Sequence, residues 1–372
     1  MILLIDGNAF INVSFAVVRG NLLKDIRVGE QYWVEDLERE GNFLLKSQTQ
    51  LAFRKFIGSY LNSILKPFKG KITHIVFAFD SVSWRKQFIR EHFEVEETDV
   101  TFVYKGNRKE DNKKLLFFDY FYSHILPILQ ESGITSYRSK GLEGDDIIAY
   151  LSSRSKQDLV IWSVDTDLMQ LVKSSTSKTV LVLPKMQSKT KRIVTDKNFF
   201  DVQESSNDPF SMDESNFNKR GIVNLVKDIA NNSEYTHLLI DPREEVLKKI
   251  LHGDKSDVIK RAHRKLSEKK TELVMELIKE SSIWEDLLNI MENDTDRFVS
   301  MVSDAVKAVL SIKEESEMET LKKDIAVRLK IIRLSPKFFP QDLLENLNDQ
   351  MRKNKVTRFN IETFRKIIED KL

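Results

Sequence analysis

Three short apolar runs, each ending in an aspartate, constrain the fold of this chain more than any other feature. They read ILLID, IVFAFD and LVIWSVD, and they end at Asp6, Asp80 and Asp165. Uninterrupted apolar runs of this length are typical of strands buried on both faces of a parallel sheet. Amphipathic helical patterns lie between them, so we predict an α/β fold with a central, mostly parallel sheet.

The pattern changes along the 372 residues. Residues 1–200 alternate strand-like and helix-like segments and are predicted to form the α/β domain. Residues 201–240 are rich in Ser, Asn and Asp, which favours a flexible insertion with a loop over most of its length. The patterns across 241–372 are almost entirely helical, and one of these helices is expected over 258–281.

Composition excludes several classes of protein. Cysteine is absent, so disulfides, thiolate nucleophiles and cysteine zinc sites are excluded. No apolar stretch is long enough to span a membrane, and the N-terminus MILLIDGNAF lacks the basic start of a signal peptide. The 59 basic and 57 acidic residues give a net charge of +2, which by itself offers no argument for a polyanionic partner. We expect a monomer in a reducing cytoplasm, without membrane association.

Further acids occur where the chain returns to the same edge of the predicted sheet. Ligands of open α/β sheets bind beside the carboxyl ends of the strands. The acids expected there are Asp6, Asp80, Glu143, Asp145, Asp146, Asp165, Asp167, Asp254 and Asp257. Crowded carboxylates oppose folding unless cations neutralise them, and oxygen-only ligands select Mg²⁺ or Mn²⁺. Two such ions are suited to phosphodiester hydrolysis.

Simpler interpretations exist for each motif taken alone. A single aspartate at a strand end is more often a turn residue or a helix cap. The EGDD motif could simply place acids at a helix N-terminus, and we expect Asp146 and Asp257 to be the capping or supporting members. An aspartyl phosphatase would need a second Asp two residues after the first, but Gly7 and Asn8 follow Asp6. The combination of motifs in this order is therefore what favours a metal-dependent nuclease.

The motifs IDGNA, FAFDS, YKGNR, GLEGDD, SVDTD and GDKSD together resemble the flap endonuclease and 5′ nuclease superfamily. The resemblance implies a PIN-like α/β domain with a helical arch at about 83–114. It also implies a helical domain with a degenerate helix–three-turn–helix module at about 245–270. The segments KMQSKTKRIV, GDKSDVI and RLSPKFFPQDLLENL are most similar to the ribonuclease H enzymes of T-even-type bacteriophages, which are 5′→3′ nucleases.

The resemblance also implies roles for individual residues. The first metal site would use Asp6, Asp80, Glu143 and Asp145, and the second would use Asp165, Asp167, Asp254 and Asp257, with Asp146 between the two. Two Mg²⁺ ions are implied, with Mn²⁺ as a substitute. The catalytic residues would be Asp6, Asp145, Lys105 and Arg108. Lys105 would contact the scissile phosphate, and Arg108 would help to orient it. Tyr104 of the same motif would also contact nucleic acid.

Two basic segments are candidate nucleic-acid contacts. The glycines that usually follow the GDxxD motif of the superfamily are missing, which argues against a glycine-loop potassium site. Instead, Lys260, Arg261, Arg264 and Lys265 have the spacing of one helical face, which could bind phosphates or be merely solvated. In 83–114, basic residues including Arg85 alternate with aromatic residues, which could stack on single-strand bases or pack among themselves.

The function implied is a divalent-metal-dependent 5′→3′ exonuclease and flap endonuclease with ribonuclease H activity. It would cut near the 5′ ends of RNA–DNA hybrids and branched DNA, and remove primers during phage replication in the host cytoplasm. A phage single-strand-binding protein and a sliding clamp are the implied protein partners. Two alternatives stay open: a PIN-type ribonuclease of single strands, and a non-catalytic replisome protein that binds branched DNA.

Overall fold

The computed structural model describes residues 1–25, 47–92, 112–174, 177–184, 190–200 and 214–372. Its centre is a seven-stranded sheet with the strand order β3-β2-β1-β4-β5-β6-β7. The strands are β1 (Ile2–Asp6), β2 (His74–Ala78), β3 (Thr135–Tyr137), β4 (Leu159–Trp162), β5 (Thr179–Pro184), β6 (Lys191–Asp196) and β7 (Tyr235–Ile240). All neighbours pair in parallel except β5 and β6, which are antiparallel. The predicted mostly parallel sheet is confirmed.

Helices connect the strands and cover both faces of the sheet. They are α1 (Gly7–Asp25), α2 (Ser47–Leu65), α3 (Trp84–His92), α4 (Asn112–Tyr120), α5 (Leu126–Gln130), α6 (Gly144–Arg154) and α7 (Glu214–Ala230). A π-helical turn, Phe121–Ile125, joins α4 to α5. Alternate residues of β1 enter different cores: Leu3 and Ile5 pack on one face of the sheet and Leu4 packs on the other. This alternation explains why the strands are apolar throughout.

The rest of the chain is helical and has its own core. Its helices are α8 (Pro242–His252), α9 (Glu268–Lys279), α10 (Leu287–Asn293), α11 (Thr295–Leu310), α12 (Glu315–Ile332), α13 (Gln341–Lys353) and α14 (Ile361–Asp370). A buried cluster that includes Leu247, Val274, Phe298 and Ile325 joins α8, α9, α11 and α12. The final helix α14 leaves this core, because Phe364 and Ile367 pack into the apolar layer beside the sheet.

Two predictions about local structure are wrong. Within the described residues 214–240, α7 and β7 replace the expected flexible insertion, because Ile222, Val226 and Ile229 of α7 bury against the sheet and β7 extends it. Residues 201–213 lie outside the described residues. The helix expected over 258–281 begins only at Glu268, where Ser267 caps it, so residues 253–267 are irregular. Most of the predicted arch lies outside the described residues, since only α3 and the beginning of α4 fall within 83–114. Among the described helices, none is long and apolar enough to cross a membrane.

Candidate metal centre

Three adjacent central strands deliver acids to one edge of the sheet. β2, β1 and β4 are neighbours in the sheet, and Asp80, Asp6 and Asp165 lie at or just beyond their carboxyl ends. The hydroxyl of Ser163, which directly follows β4, donates a hydrogen bond of 2.7 Å to Asp6 Oδ2. The Ala9 amide in the first turn of α1 donates to Asp6 Oδ1 at 2.9 Å. The sheet therefore brings together the acids that three separate motifs supply.

The Asp6 carboxyl has an unusual affinity for protons. Its pKa is raised from 3.8 to about 7, chiefly by burial and also by the negative charges of Asp80 and Asp165, whereas the hydrogen bonds from Ala9 and Ser163 oppose the rise. A carboxyl in this position favours either a proton or another cation beside it. The raised pKa of Asp6 therefore reflects its burial first and the neighbouring negative charges at the sheet edge second.

The GLEGDD motif joins this edge through its second glycine. The amide of Gly144 donates to Asp80 Oδ1 at 2.7 Å. A Cβ at position 144 would lie 3.1 Å from the same oxygen, so glycine lets the first turn of α6 approach the end of β2 closely. Asp145 lies in this turn and accepts a bond from the Asp146 amide at 2.7 Å. The first predicted metal site is thus assembled from β1, β2 and α6.

Arg85 of α3 lies inside the structure beside two of these acids. Its side chain is only 1% exposed, and its Nη1 donates to Glu143 Oε2 at 2.9 Å. Nη2 donates to Asp146 Oδ1 at 2.6 Å, and Nε donates to the carbonyl of Ile331 at 2.8 Å. The prediction that Arg85 contacts nucleic acid is therefore wrong for this structure, because burial and carboxylate partners occupy its guanidinium.

The neighbouring aromatic residues follow Arg85 into the interior. The Trp84 indole donates to Asp146 Oδ2 at 3.2 Å, and its ring packs edge-on against Phe88 with centroids 5.7 Å apart. For this part of the predicted arch, the packed alternative applies rather than a surface for base stacking. Tyr104, Lys105 and Arg108 lie outside the described residues.

Asp146 has a capping role, as the sequence suggested. Its Oδ2 accepts a hydrogen bond of 3.1 Å from the amide of Glu143, the residue that precedes α6, so Asp146 caps the start of this helix. Carboxylate oxygens of Glu143, Asp145 and Asp146 lie within 4.8 Å of one another, a spacing that could hold a metal ion. Arg85 bonds both Glu143 and Asp146 of this group.

The second group of acids surrounds a lysine. Asp165 caps the 3₁₀ turn Thr166–Leu171 by accepting from the Asp167 amide at 2.8 Å. Lys249 of α8 bonds Asp167, and its Nζ lies 3.1 Å from Asp254 Oδ2. Burial alone would raise the pKa of Asp254, but hydrogen bonds from Ser256 and the charge of Lys249 outweigh it and lower the pKa. The ammonium of Lys249 thus bridges acids from two motifs.

The basic residues beyond GDKSD are not on a helix. Lys260, Arg261, Arg264 and Lys265 are exposed, but they lie in the irregular loop between α8 and α9. Their predicted arrangement on one helical face is therefore wrong, since helical geometry starts only at Glu268. Asp257 in the same loop is buried.

Two residues of the centre were not anticipated. Lys249 lies on the helix before GDKSD, next to Lys248. Nothing in the sequence distinguishes it from its neighbour as a partner of Asp167. Ser163 lies between a strand and an acid in SVD, a position that could have suggested a hydrogen-bond donor to the neighbouring strand end. The sequence predicts an exposed environment for Arg85, whereas the structure buries it, because the burial of α3 depends on contacts with distant helices.

The comparison with known families agrees with this geometry. A family model described as 5′-3′ exonuclease, N-terminal resolvase-like domain matches residues 1–204. The match spans more than half of the chain, and the chain therefore belongs to this 5′ nuclease family. No curated protein sequence matches it.

Solved structures of bacteriophage T5 proteins are similar in overall path. One is a T5 flap endonuclease variant in a pseudo-enzyme–product complex with DNA and metal ions, with 13% identity, a TM-score of 0.48, and coverage of 99% of both chains. A T5 protein co-crystallised with metal ions has 11% identity and a TM-score of 0.46, with 99% of this chain and 97% of that chain covered. The family assignment depends on the family model rather than on these distant likenesses.

The residues of the centre fit a hard divalent cation. Carboxylate oxygens of Glu143, Asp145 and Asp146, all at the start of α6, lie at a spacing that suits one ion. Asp6 and Asp80 carry further carboxylates at the same sheet edge. The raised pKa of Asp6 is the expected sign of acids that gain from a nearby cation. Oxygen ligands of this kind suit Mg²⁺, Mn²⁺ or Ca²⁺ rather than softer metals.

Proposed function

We propose that this member of the 5′ nuclease family is a divalent-metal-dependent 5′→3′ exonuclease and flap endonuclease. The observation that carries the proposal is the convergence of Asp6, Asp80 and Asp145 at one sheet edge, with the pKa of Asp6 raised to about 7. Such an arrangement of acids is costly for folding and is useful where cations and phosphates meet.

The first ion would be held by Asp6, Asp80, Glu143 and Asp145, and the second by Asp165, Asp167 and Asp254, with Asp146 and Asp257 supporting them. Mg²⁺ is the expected ion at both sites, and Mn²⁺ is expected to substitute. When bound, these ions supply an activated water and stabilise the leaving oxygen of the phosphodiester. The carboxylates act as ligands rather than nucleophiles, so no covalent intermediate is expected.

Basic residues would bind the negatively charged phosphates of the substrate. Lys105 is proposed to contact the scissile phosphate and Arg108 to orient it, since cations beside developing charge stabilise the transition state. Tyr104 belongs to the same motif. Lys260, Arg261, Arg264 and Lys265 are proposed to bind the duplex backbone, where phosphate contacts fix position without reading sequence.

The finer proposals concern substrate and context. RNA–DNA hybrids and flap DNA are the proposed substrates, and ribonuclease H activity that removes primers during phage replication is the proposed role. Such a role would place the protein, as a monomer, in the bacterial host cytoplasm with a single-strand-binding protein and a sliding clamp. These statements follow from the resemblance to the phage ribonuclease H group.

An assay on 5′-labelled flap, nicked and RNA–DNA substrates tests the proposal. We expect short 5′ products in Mg²⁺ and none in EDTA, and the product lengths separate exonuclease from flap endonuclease cleavage. Cleavage restricted to single-stranded RNA would favour the PIN-type alternative. Tight binding of flap DNA without any cleavage in Mg²⁺ or Mn²⁺ would favour the non-catalytic alternative.

Lys105→Ala tests the role of the arch motif. We expect turnover to fall more than substrate affinity, because the side chain is assigned to the transition state rather than to uniform binding. Lys353→Ala, at an exposed lysine that ends α13, serves as the control. Equal losses in kcat and affinity would make Lys105 a binding residue only.

A further inference from the structure

The loop between α8 and α9 carries both acidic and basic residues. Residues 253–265, which we name the dual loop, include Asp254 of the metal centre and the exposed side chains of Lys260 and Arg261. One short segment thus links the position of a proposed metal ligand to the position of two proposed phosphate contacts. A contact that fixes the backbone of this segment therefore fixes the positions of the metal ligand and of the phosphate contacts together.

The dual loop has a demanding backbone. Asp254 and Ile259 exchange amide–carbonyl bonds of 2.8 and 2.7 Å, and the Ala262 amide returns to the carbonyl of Leu251 at 2.9 Å. Gly253 has a φ of 81°, and a side chain there would overlap the carbonyls of Ile259 and Lys260. Val258 has a φ of 61°, which is unfavourable for a β-branched residue. A loop with this strain requires contacts that hold it in place.

Arg328 of α12 supplies such contacts from the protein interior. Its side chain is 1% exposed, its Nη1 donates to the carbonyl of Lys260, and its Nη2 donates to the carbonyl of Arg261 at 3.0 Å. Its Nε donates to Asp324 Oδ2 at 2.6 Å, so the buried charge is paired on its own helix. The guanidinium is rigid and planar, so it fixes the relative positions of two consecutive carbonyls of the dual loop.

We propose that Arg328 is a positioning residue for phosphate binding, which holds the dual loop so that Lys260 and Arg261 meet the substrate backbone while Asp254 stays in the metal centre. This inference rests on the proposed function, because it concerns how the same enzyme binds nucleic acid. Arginine is suited to the role because its planar fork donates several bonds at once, whereas a lysine ammonium cannot span two carbonyls with the same geometry.

The test compares Arg328→Lys and Arg328→Met with a matched buried arginine. Arg333 follows α12, and its guanidinium bonds the side chains of Gln170 and Glu292 rather than the dual loop, so Arg333→Lys is the control. Hydrogen-exchange mass spectrometry of the full chain measures the protection of amides in 251–262. Binding of a 5′-flap duplex in EDTA, measured over a range of salt concentrations, gives the number of phosphate contacts.

We expect faster exchange in the dual loop for both Arg328 variants and a salt slope reduced by about 1–2, since each phosphate contact contributes about 0.9 to the slope. Arg333→Lys should change neither quantity. Replacing both Arg261 and Arg264 with Ala should reduce the slope without altering exchange, which separates residues that bind from the residue that positions them.

Unchanged exchange in both Arg328 variants would overturn the inference, and so would faster exchange with an unchanged salt slope. If the wild-type chain shows no salt-dependent binding of the duplex, the proposed function fails in its own right. Unchanged slopes in the Arg328 variants of a chain that does bind contradict only the positioning role.

Discussion

Two cationic side chains lie among the acids of the candidate metal centre, and they differ in how they are held. Arg85 is 1% exposed and bonds Glu143, Asp146 and the carbonyl of Ile331, which ties α3 and α6 to the end of α12. Lys249 is 17% exposed and bonds two carboxylates from separate motifs. The first is built into the interior, while the second is reachable by solvent.

The difference suggests separate roles for the two cations. A buried guanidinium with several fixed partners cannot move away without leaving buried carboxylates unpaired. We therefore expect Arg85 to keep its partners whether or not a metal ion is bound. A flexible ammonium that is partly exposed can move aside at small cost when a stronger cation arrives. We therefore expect Lys249 to neutralise Asp167 and Asp254 until a divalent ion replaces it.

Removing the permanent cation should have the largest effect. Arg85→Met leaves Glu143 and Asp146 buried without their partner, and breaking a buried pair costs about 3–5 kcal/mol. Urea unfolding in EDTA measures this loss of stability. In a second variant that also carries Asp146→Asn, part of the loss should be recovered, because one uncompensated charge is gone. A loss for Arg85→Met no greater than that for Lys249→Met would contradict the comparison.

The next effect concerns the acid that lies beside the Arg85 cluster. Asp145→Asn should lower cleavage in Mg²⁺ by more than about 100-fold, since even residues that only orient metal ligands contribute about 10–100-fold. Binding of flap DNA should persist because the basic surfaces are unchanged. Single-turnover cleavage and binding titrations measure the two quantities. Asp349→Asn, at an exposed acid paired with Arg352, is the control. Normal cleavage by Asp145→Asn would refute the site assignment.

Much of the centre could be predicted because its signals are local. An apolar run that ends in an acid shows both a buried strand and the residue at its carboxyl end, so Asp6, Asp80 and Asp165 were placed correctly at one sheet edge. Gly144, the second glycine of GLEGDD, also carries a local signal, since a Cβ there would lie 3.1 Å from Asp80 Oδ1 and a glycine makes the close approach of α6 easy.

Other features depend on contacts that local patterns do not contain. Arg85 bonds a carbonyl 246 residues away, so its burial could not be read from the basic and aromatic residues around it. The helix α7 was missed because the polar residues before it resemble a loop, although Ile222, Val226 and Ile229 cover the sheet. The dual loop from residue 258 onward is predicted to be helical, because the spacing of its basic residues is compatible with a helix that its backbone does not form.

Asp6 lies between the acids that bond Arg85 and the acids that bond Lys249. The pH dependence of the protein's stability should therefore report on the ionisation of Asp6 beside both groups. Its folded-state pKa is about 7, against 3.8 as the ordinary value, so between these pH values only the folded chain holds the proton. The metal-free protein should therefore lose stability as the pH rises from about 4 to 7. Urea unfolding in EDTA across this range should show a steeper decline for the wild type than for Asp6→Asn. Parallel curves would show that Asp6 is already neutralised by a neighbour.

The smallest effect is the one that most sharpens the contrast between the two cations. Lys249→Met removes the ammonium that bonds both Asp167 and Asp254. A divalent ion then no longer has to compete with this ammonium for the two carboxylates. A unit charge at this range shifts a neighbouring carboxyl's pKa by about 1–3 units, so we expect the affinity for Mn²⁺ to rise about tenfold. Calorimetric titration with Mn²⁺ measures this independently of activity, and Lys248→Met on the same helix is the control. A fall in Mn²⁺ affinity for Lys249→Met alone would mean that Lys249 orients the two acids for the ion instead of competing with it, and the distinction between a permanent and an exchangeable cation would be lost.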